Sequence, residues 1–463
     1  MSIYDQHLDK NAANHVMLSP VSFVERSAEV FGDLPAVTHG ARRYSWAQCR
    51  ERSARLAAAL QALGIARGST VSVMLPNTPE MVEVHYAVPA LNAVLNTLNT
   101  RLDAPLLAWQ LNHCEAAVLI TDREFAPVMA EALRLLKSEH GRAPVVIDVA
   151  DSEYAGAGDC LGAYEYEALL AAHAPLAKLE GPADEWDAVA VSYTSGTTGD
   201  PKGVMLSHGN FTALLSSLAA IFPLKESDRI LSVLPLHHTF EFTCGLLLPM
   251  SRGARIIYLD ELNADRLGEG LKKGRITGMV GVPALWQMLE RKILARVKEQ
   301  GPAATTAFNW AIELNRMLGK NLGVNAGRLF FGSVHAGLGG HARFLISGGA
   351  ALPKDTSDLF NGLGLPLAEG YGLTEAAPVL TVAKAKPGAR AGTVGKPIPG
   401  VEVKIASPDG DGVGEVLARG PNVMAGYADD PAATAQAIDA EGWLHTGDLG
   451  RMDKRGQLTI VGR

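Results

Sequence analysis

The stretch Ala188-Val-Ala-Val-Ser-Tyr193 runs directly into Thr194-Ser-Gly-Thr-Thr-Gly-Asp-Pro-Lys-Gly-Val204. Its first half is short, apolar and rich in valine, the pattern of a strand buried on both faces. The second half cannot continue that strand, because seven of the ten residues from Tyr193 to Lys202 are Thr, Ser, Gly or Pro. Glycines let backbone N–H groups approach a ligand, hydroxyls add donors, and Lys202 adds a mobile positive charge. A strand feeding such a loop is suited to polyphosphate. It is not a Walker A loop, since Pro201-Lys202-Gly203 stands where Gly-Lys-Ser/Thr is required. An ordinary surface turn is the plainer alternative for any lone glycine-rich loop.

Similar apolar runs recur on both sides, at 70–75, 117–121 and 144–149 before the loop and at 230–234, 255–259, 279–282 and 343–347 after it. Between them the periodicity is helical. Ser45-x-x-Gln48 reads as a capping box opening a helix through Leu56, Leu60 and Leu63. Leu285, Met288, Leu289, Ile293 and Val297 share one helix face. The alternation predicts an α/β fold with mixed, mainly parallel sheets. Beyond Gly392 the texture changes to short strands between Pro and Gly turns, which predicts a small, mostly antiparallel subdomain. The expected organisation is two α/β subdomains over approximately 1–185 and 186–391, the second carrying the phosphate loop, and a β-rich one over 392–463. The Gly-rich piece 332–340 reads as a connector.

Of the 463 residues, 47% are hydrophobic and 20% charged, enough for a large core and too apolar for a disordered chain. A net charge of −7 argues against a general nucleic-acid binder. The four cysteines (Cys49, Cys114, Cys160, Cys244) form no CxxC pair. That excludes a disulfide scaffold or zinc ribbon and favours a reducing compartment. With no leader-like start and no apolar run of the ~18 residues a membrane helix needs, the expectation is a soluble cytoplasmic enzyme. Charge is uneven: residues 266–343 hold twelve Lys or Arg and four Asp or Glu, a local +8. Two solvated helix faces account for it plainly; a surface meeting anionic lipid or a phosphorylated ligand is the sharper reading.

Ser195–Gly203 matches throughout the Ser/Thr-Gly-Thr-Thr-Gly-x-Pro-Lys-Gly motif of the adenylate-forming superfamily, which the sequence therefore resembles. That family contains acyl-CoA synthetases, aryl-CoA ligases, luciferases and peptide-synthetase adenylation domains. Further motifs follow in the family's order over essentially the whole chain. The resemblance implies a large domain of two packed α/β subdomains and a small β-barrel-like one, with ATP and Mg²⁺ as cofactors and CoA as co-substrate. Thr194, Ser195, Gly196, Thr197, Thr198, Gly199 and Lys202 are then phosphate-loop residues. In Tyr371-Gly-Leu-Thr-Glu375, Tyr371 is expected to stack on adenine, Thr374 to touch the α-phosphate and Glu375 to hold Mg²⁺. Glu369, Gly370 and Gly372 accompany them on the nucleotide.

In Ser347-Gly-Gly-Ala-Ala351, Gly348, Gly349 and Ala350 are expected to wall the adenine site, and Gly348 and Gly349 also to border the acyl tunnel. Asp448, in Trp443-Leu-His-Thr-Gly-Asp448, and Arg463 are expected to bind the ribose. His238, in Pro235-Leu-His-His-Thr-Phe-Glu241, is expected beside the carboxylate being activated. The catalytic set is Lys202, His238, Thr374 and Glu375. Plainer readings exist for several of these. Thr374 could cap a helix, the Gly348 stretch could serve close packing, and Asp448 could form a turn. His237 and His238 could suggest a metal, but neighbours on an extended chain point opposite ways.

His-Thr-Phe-Glu and Ile346-Ser-Gly-Gly-Ala-Ala-Leu-Pro353 look like long-chain fatty acyl-CoA synthetases, whereas Leu95-Asn-Thr-Leu-Asn-Thr-Arg-Leu102 looks like the medium-chain branch. The favoured reading is ATP-dependent activation of a fatty acid to acyl-AMP and then acyl-CoA. An acid–AMP ligase loading a carrier protein or activating an aryl acid, and an inactive nucleotide-binding module, are the alternatives. The family continues into a smaller mobile domain carrying a further lysine, which nothing here matches. The expectation is that this chain by itself makes thioester poorly. Its partners are expected to be fatty acid, ATP and CoA, with transient membrane-surface contact.

Overall fold

The computed structural model describes the whole chain except residues 1, 3, 5, 8, 12, 155, 157, 195–200, 260, 261, 366 and 384–390. Three sheets organise it. The first has eight strands in the order Gly426–Tyr427, Gly203–Ser207, Ala188–Tyr193, Val94–Thr97, Thr70–Met74, Ala116–Asp122, Val145–Val149 and Tyr164–Glu165. Its strands are parallel from Ala188–Tyr193 onward, and the two at the Gly426 edge pair antiparallel.

The second sheet has nine strands: Lys396–Pro397, Thr381–Val382, Leu367–Tyr371, Phe344–Ser347, Gly278–Gly281, Arg229–Ser232, Arg255–Tyr258, Pro35–His39 and Arg42–Ser45. Its five central pairings are parallel. The third is a four-stranded antiparallel sheet of Glu402–Ala406, Gly414–Arg419, Leu444–Met452 and Leu458–Gly462. The fold is mixed α/β with mainly parallel large sheets.

Sheet membership does not follow the expected division near residue 185. The strand feeding the phosphate loop and the one leaving it belong to the first sheet, while the early hairpin 35–45 crosses to the edge of the second. Strand partners are chosen by long-range pairing, which an order of apolar runs does not encode. The stretch 332–340 also differs from expectation, because Gly332–Gly337 is helical. Burial of His335, whose Nε2 donates to the Leu363 carbonyl at 2.8 Å, offsets the poor helix propensity of its glycines.

Local rules hold where they are strongest. The Gln48 N–H donates to Ser45 Oγ at 3.3 Å and the Ser45 N–H to Gln48 Oε1 at 2.9 Å, a closed capping box on helix Trp46–Ala62. Ser207 and Asn210 form a second box on helix His208–Ile221, directly after the strand that leaves the phosphate loop. Among the described residues no helix is long and apolar enough to cross a membrane.

Candidate active site

A cavity of about 670 Å³ lies where the three sheets meet. The first sheet contributes Tyr193, Thr194 and Lys202. The second contributes Glu369, Gly370 and Tyr371, and the third Thr446 and Asp448. Thr194 and Lys202 close the neck of the phosphate loop: the Thr194 N–H donates to the Lys202 carbonyl at 3.0 Å, and the Lys202 N–H donates to Thr194 Oγ1 at 3.2 Å. Ser195, Gly196, Thr197, Thr198 and Gly199 lie outside the described residues.

One segment that sequence reasoning did not single out ties the two charged sides together. Asn210, on the second capping box, donates to the Pro421 and Val423 carbonyls, both at 2.8 Å. Asn422 donates to Ala376 and Val379 carbonyls at 2.8 and 2.9 Å, and the Met424 N–H donates to the Glu375 carbonyl at 2.8 Å. Gly426–Tyr427 then pairs antiparallel with Met205 and Val204. The result is Tyr427 between Lys202 and Glu375. Its Oη donates to Glu375 Oε1 at 2.8 Å, and the Lys202 ammonium sits 4.9 Å from its ring centroid. Burial, then the Glu375 charge, pushes the Tyr427 hydroxyl well above the usual tyrosine range, so it stays a donor.

The turn Gly372–Ala376 holds Thr374 and Glu375 at the cavity wall. A Cβ on Gly372 would lie 1.8 Å from the Pro378 carbonyl oxygen, so only glycine fits. Thr374 does not cap the short turn it opens. Tyr371 Oη donates to Asp448 Oδ2 at 2.7 Å, and Arg463 Nε stands 3.6 Å from Asp448 Oδ1. Trp443, leading into that motif, has Lys404 4.0 Å and Arg419 4.5 Å from its ring centroid.

Glu369 is buried and accepts the Leu352 N–H at 3.0 Å, which fixes the end of the glycine turn 347–353; burial raises its carboxyl pKa. Gly349 lines the cavity at φ 78°, with Ala350 beside it. Gly348 faces elsewhere: a Cβ there would meet the Phe240 ring at 2.8 Å, and the residue is not part of the cavity wall. Thr97, Asn99 and Gln110 also line the cavity; the first two lie in the Leu95–Leu102 stretch, and nothing local in the sequence marks Gln110.

His237 and His238 both line the cavity, with ring centroids 4.3 Å apart rather than on opposite sides of the chain. His238 begins the helical turn Thr239–Glu241, so strand alternation does not apply to the pair. Burial, then the Arg101 charge, lowers the His238 pKa, and burial with His238 and Arg101 pushes His237 down to about 3. Both rings are neutral at pH 7. Behind them Phe240 and Val282 join Leu234, Val280 and Leu285 in an apolar cluster.

Lys202 at the neck of the phosphate loop, the Glu375 carboxylate with Oε1 held by Tyr427, and the Asp448–Arg463 pair thus surround a single cavity. The AMP-binding enzyme family model matches residues 24–428, and the chain belongs to that family. It is 30% identical to 2-methylpropanoate–CoA ligase of Humulus lupulus, over 99% of this chain and 79% of that protein. It is 31% identical to the peroxisomal benzoate–CoA ligase of Arabidopsis thaliana, over 97% of this chain and 75% of that protein. Among solved structures, the N-terminal domain of FACL13 from Mycobacterium tuberculosis superimposes with a TM-score of 0.76 at 26% identity, covering 96% of this chain and 100% of that one. Acid–CoA ligase activity is the common property these relatives support.

Proposed function

We propose that this protein activates a fatty acid, long-chain by preference, with ATP and transfers the acyl group to CoA. The observation that carries the reading is the convergence of Lys202, Thr374, Glu375, Asp448 and Arg463 on one cavity that His238 also lines. The acid's carboxylate is ionised at pH 7 and needs no general base. Its oxygen attacks the α-phosphorus of ATP, the bond to the bridging oxygen breaks, and pyrophosphate leaves with the electron pair. A CoA thiolate then attacks the acyl carbon and AMP departs.

Lys202 and the loop N–H groups hold the phosphates, Thr374 steadies the α-phosphate, and Asp448 with Arg463 holds the ribose. Neutral His238 can donate to the acid without competing as an anion acceptor. Glu375, whose Oε2 has no hydrogen-bond partner among the described residues, is a donor suited to a hard divalent ion. Mg²⁺ there would neutralise charge gathering on the phosphates. The apolar cluster behind Phe240 favours an alkyl chain over a polar acid, and an apolar substrate suits a cytoplasmic enzyme in transient contact with a membrane face.

Pyrophosphate release across acetate, butyrate, benzoate, laurate and palmitate, each with CoA or a carrier protein as acceptor, tests the proposal. The highest kcat/KM for palmitate with CoA supports it. A preference for the short or aromatic acids of the named relatives overturns the chain-length part, and ATP binding without turnover of any acid overturns the whole.

A further inference from the structure

A second cavity, of about 1270 Å³, shares no lining residue with the first. It lies among the helices Ala264–Lys273, Pro283–Glu299, Pro302–Leu322 and Gly332–Gly337, within the basic segment 266–343. Its floor is apolar: Leu289, Ile293 and Val297 descend one face of Pro283–Glu299, with Phe308 and Ala311 opposite and Phe331 closing the end. These include the positions whose spacing marks a buried helix face: Leu289 and Ile293 join Phe331 in a core cluster against which Phe308 and Ala311 pack, and the cavity borders that cluster.

The mouth is cationic. Four cations line it against two carboxylates, Glu269 and Glu299. Lys273 pairs with Glu269, and Lys292 pairs with Asp265 at 2.9 Å. Among the described residues, Lys272 and Arg296 have no ion-pair partner, and both are exposed. The apolar surface continues outward: Ala307 lines the cavity, and Trp310, one turn along the same helix, is 69% exposed. Leu329, close to the lining residue Phe330, is 82% exposed.

A hydrophilic anion would gain nothing from this floor, and a neutral lipid nothing from these cations. We propose that the groove binds a single-chain anionic amphiphile, its acyl chain on the Leu289–Val297 floor and its carboxylate or phosphate head at Lys272 and Arg296. The volume exceeds the roughly 300–1,000 Å³ of ordinary small-molecule pockets, which leaves room for a long chain. The site is separate from catalysis and holds whichever the reading of the first cavity.

The test titrates the whole chain with the fluorescent amphiphile dansyl-undecanoate. Two saturable sites are expected. The double variant Lys272→Glu with Arg296→Glu, and separately Ala307→Glu, should weaken one of them by about tenfold or more, while melting temperature and kcat for pyrophosphate release stay unchanged. Arg296→Lys should retain the site. Laurate and lauryl phosphate should displace the probe from it and lauryl alcohol should not, and palmitate should outcompete laurate, up to roughly fourfold per added methylene. If only laurate competes the head is a carboxylate, and if only lauryl phosphate competes it is a phosphate, either result supporting an anionic head. A single site in the wild type, indifference to these folded variants, equal displacement by lauryl alcohol, or binding to phosphatidylglycerol vesicles without binding of monomeric probe would each overturn the proposal.

Discussion

The Tyr427 hydroxyl donates to the Glu375 carboxylate at 2.8 Å while its ring faces the Lys202 ammonium. One side chain thereby orients both charged groups expected to handle the phosphates. Tyr427→Phe keeps the ring and loses the hydroxyl. The expected result is a rise of roughly tenfold in half-saturating Mg²⁺ for ATP binding, as for loss of a partner that orients a metal ligand. Calorimetric titration of ATP at a series of Mg²⁺ concentrations reads this without turnover. An unchanged Mg²⁺ dependence would show that the bond is only structural.

Asp448 accepts from Tyr371 and stands beside Arg463. Asp448→Ala should raise KM for ATP about tenfold to a hundredfold, the scale of lost hydrogen bonds to a charged group. KM for the acid should hardly move. Steady-state kinetics with each substrate varied in turn checks the split, and an equal effect on both would mean that the cavity itself has collapsed.

Gly372 touches the Pro378 carbonyl so closely that Gly372→Ala must displace the turn bearing Thr374 and Glu375. A loss of about 1–3 kcal/mol in unfolding free energy is expected, with weaker ATP binding. Gly410, which has open space around a would-be Cβ, is the control. Equal stability of the two alanine variants in urea would contradict the crowding argument.

Glu241 is fully buried beside Gly245. Ser232 Oγ and the Leu234 N–H lie near enough to favour its charged form, yet neither is aligned as a hydrogen bond. Burial dominates and pushes its pKa to about 8, from an ordinary value of 4.5. Because the folded value is the higher one, the neutral acid's contribution is complete below the unfolded pKa and is lost as pH rises toward 8. The stability difference between wild type and Glu241→Gln should therefore shift in the variant's favour by about 1.4 kcal/mol per pH unit across that window. Urea unfolding of both proteins at several pH values measures it. A difference independent of pH would refute the raised pKa.

Much of this protein was legible in its residues because the signals are local. The valine-rich strand before Thr194, the Ser45–Gln48 box and the helix face Leu285–Val297 each depend on neighbours within a few positions, and all three are present. The motifs holding Lys202, Tyr371, Thr374, Glu375 and Asp448 likewise carry their spacing in the chain, and the fold delivers them to one cavity.

Tertiary structure decided the rest. Which sheet a strand joins, the placing of Tyr427 between Lys202 and Glu375 by Asn210 and Asn422, the turning of Gly348 onto Phe240, and the close approach of two neutral histidine rings all depend on partners far away in sequence. Backbone pairing and burial are long-range choices made by the whole core, and burial sets whether a group such as Glu241 or His237 carries charge. A periodic pattern says that a helix face is apolar. Only packing says which residues meet that face, as Phe308, Ala311 and Phe331 meet Leu289 and Ile293, and where a cavity is left beside it.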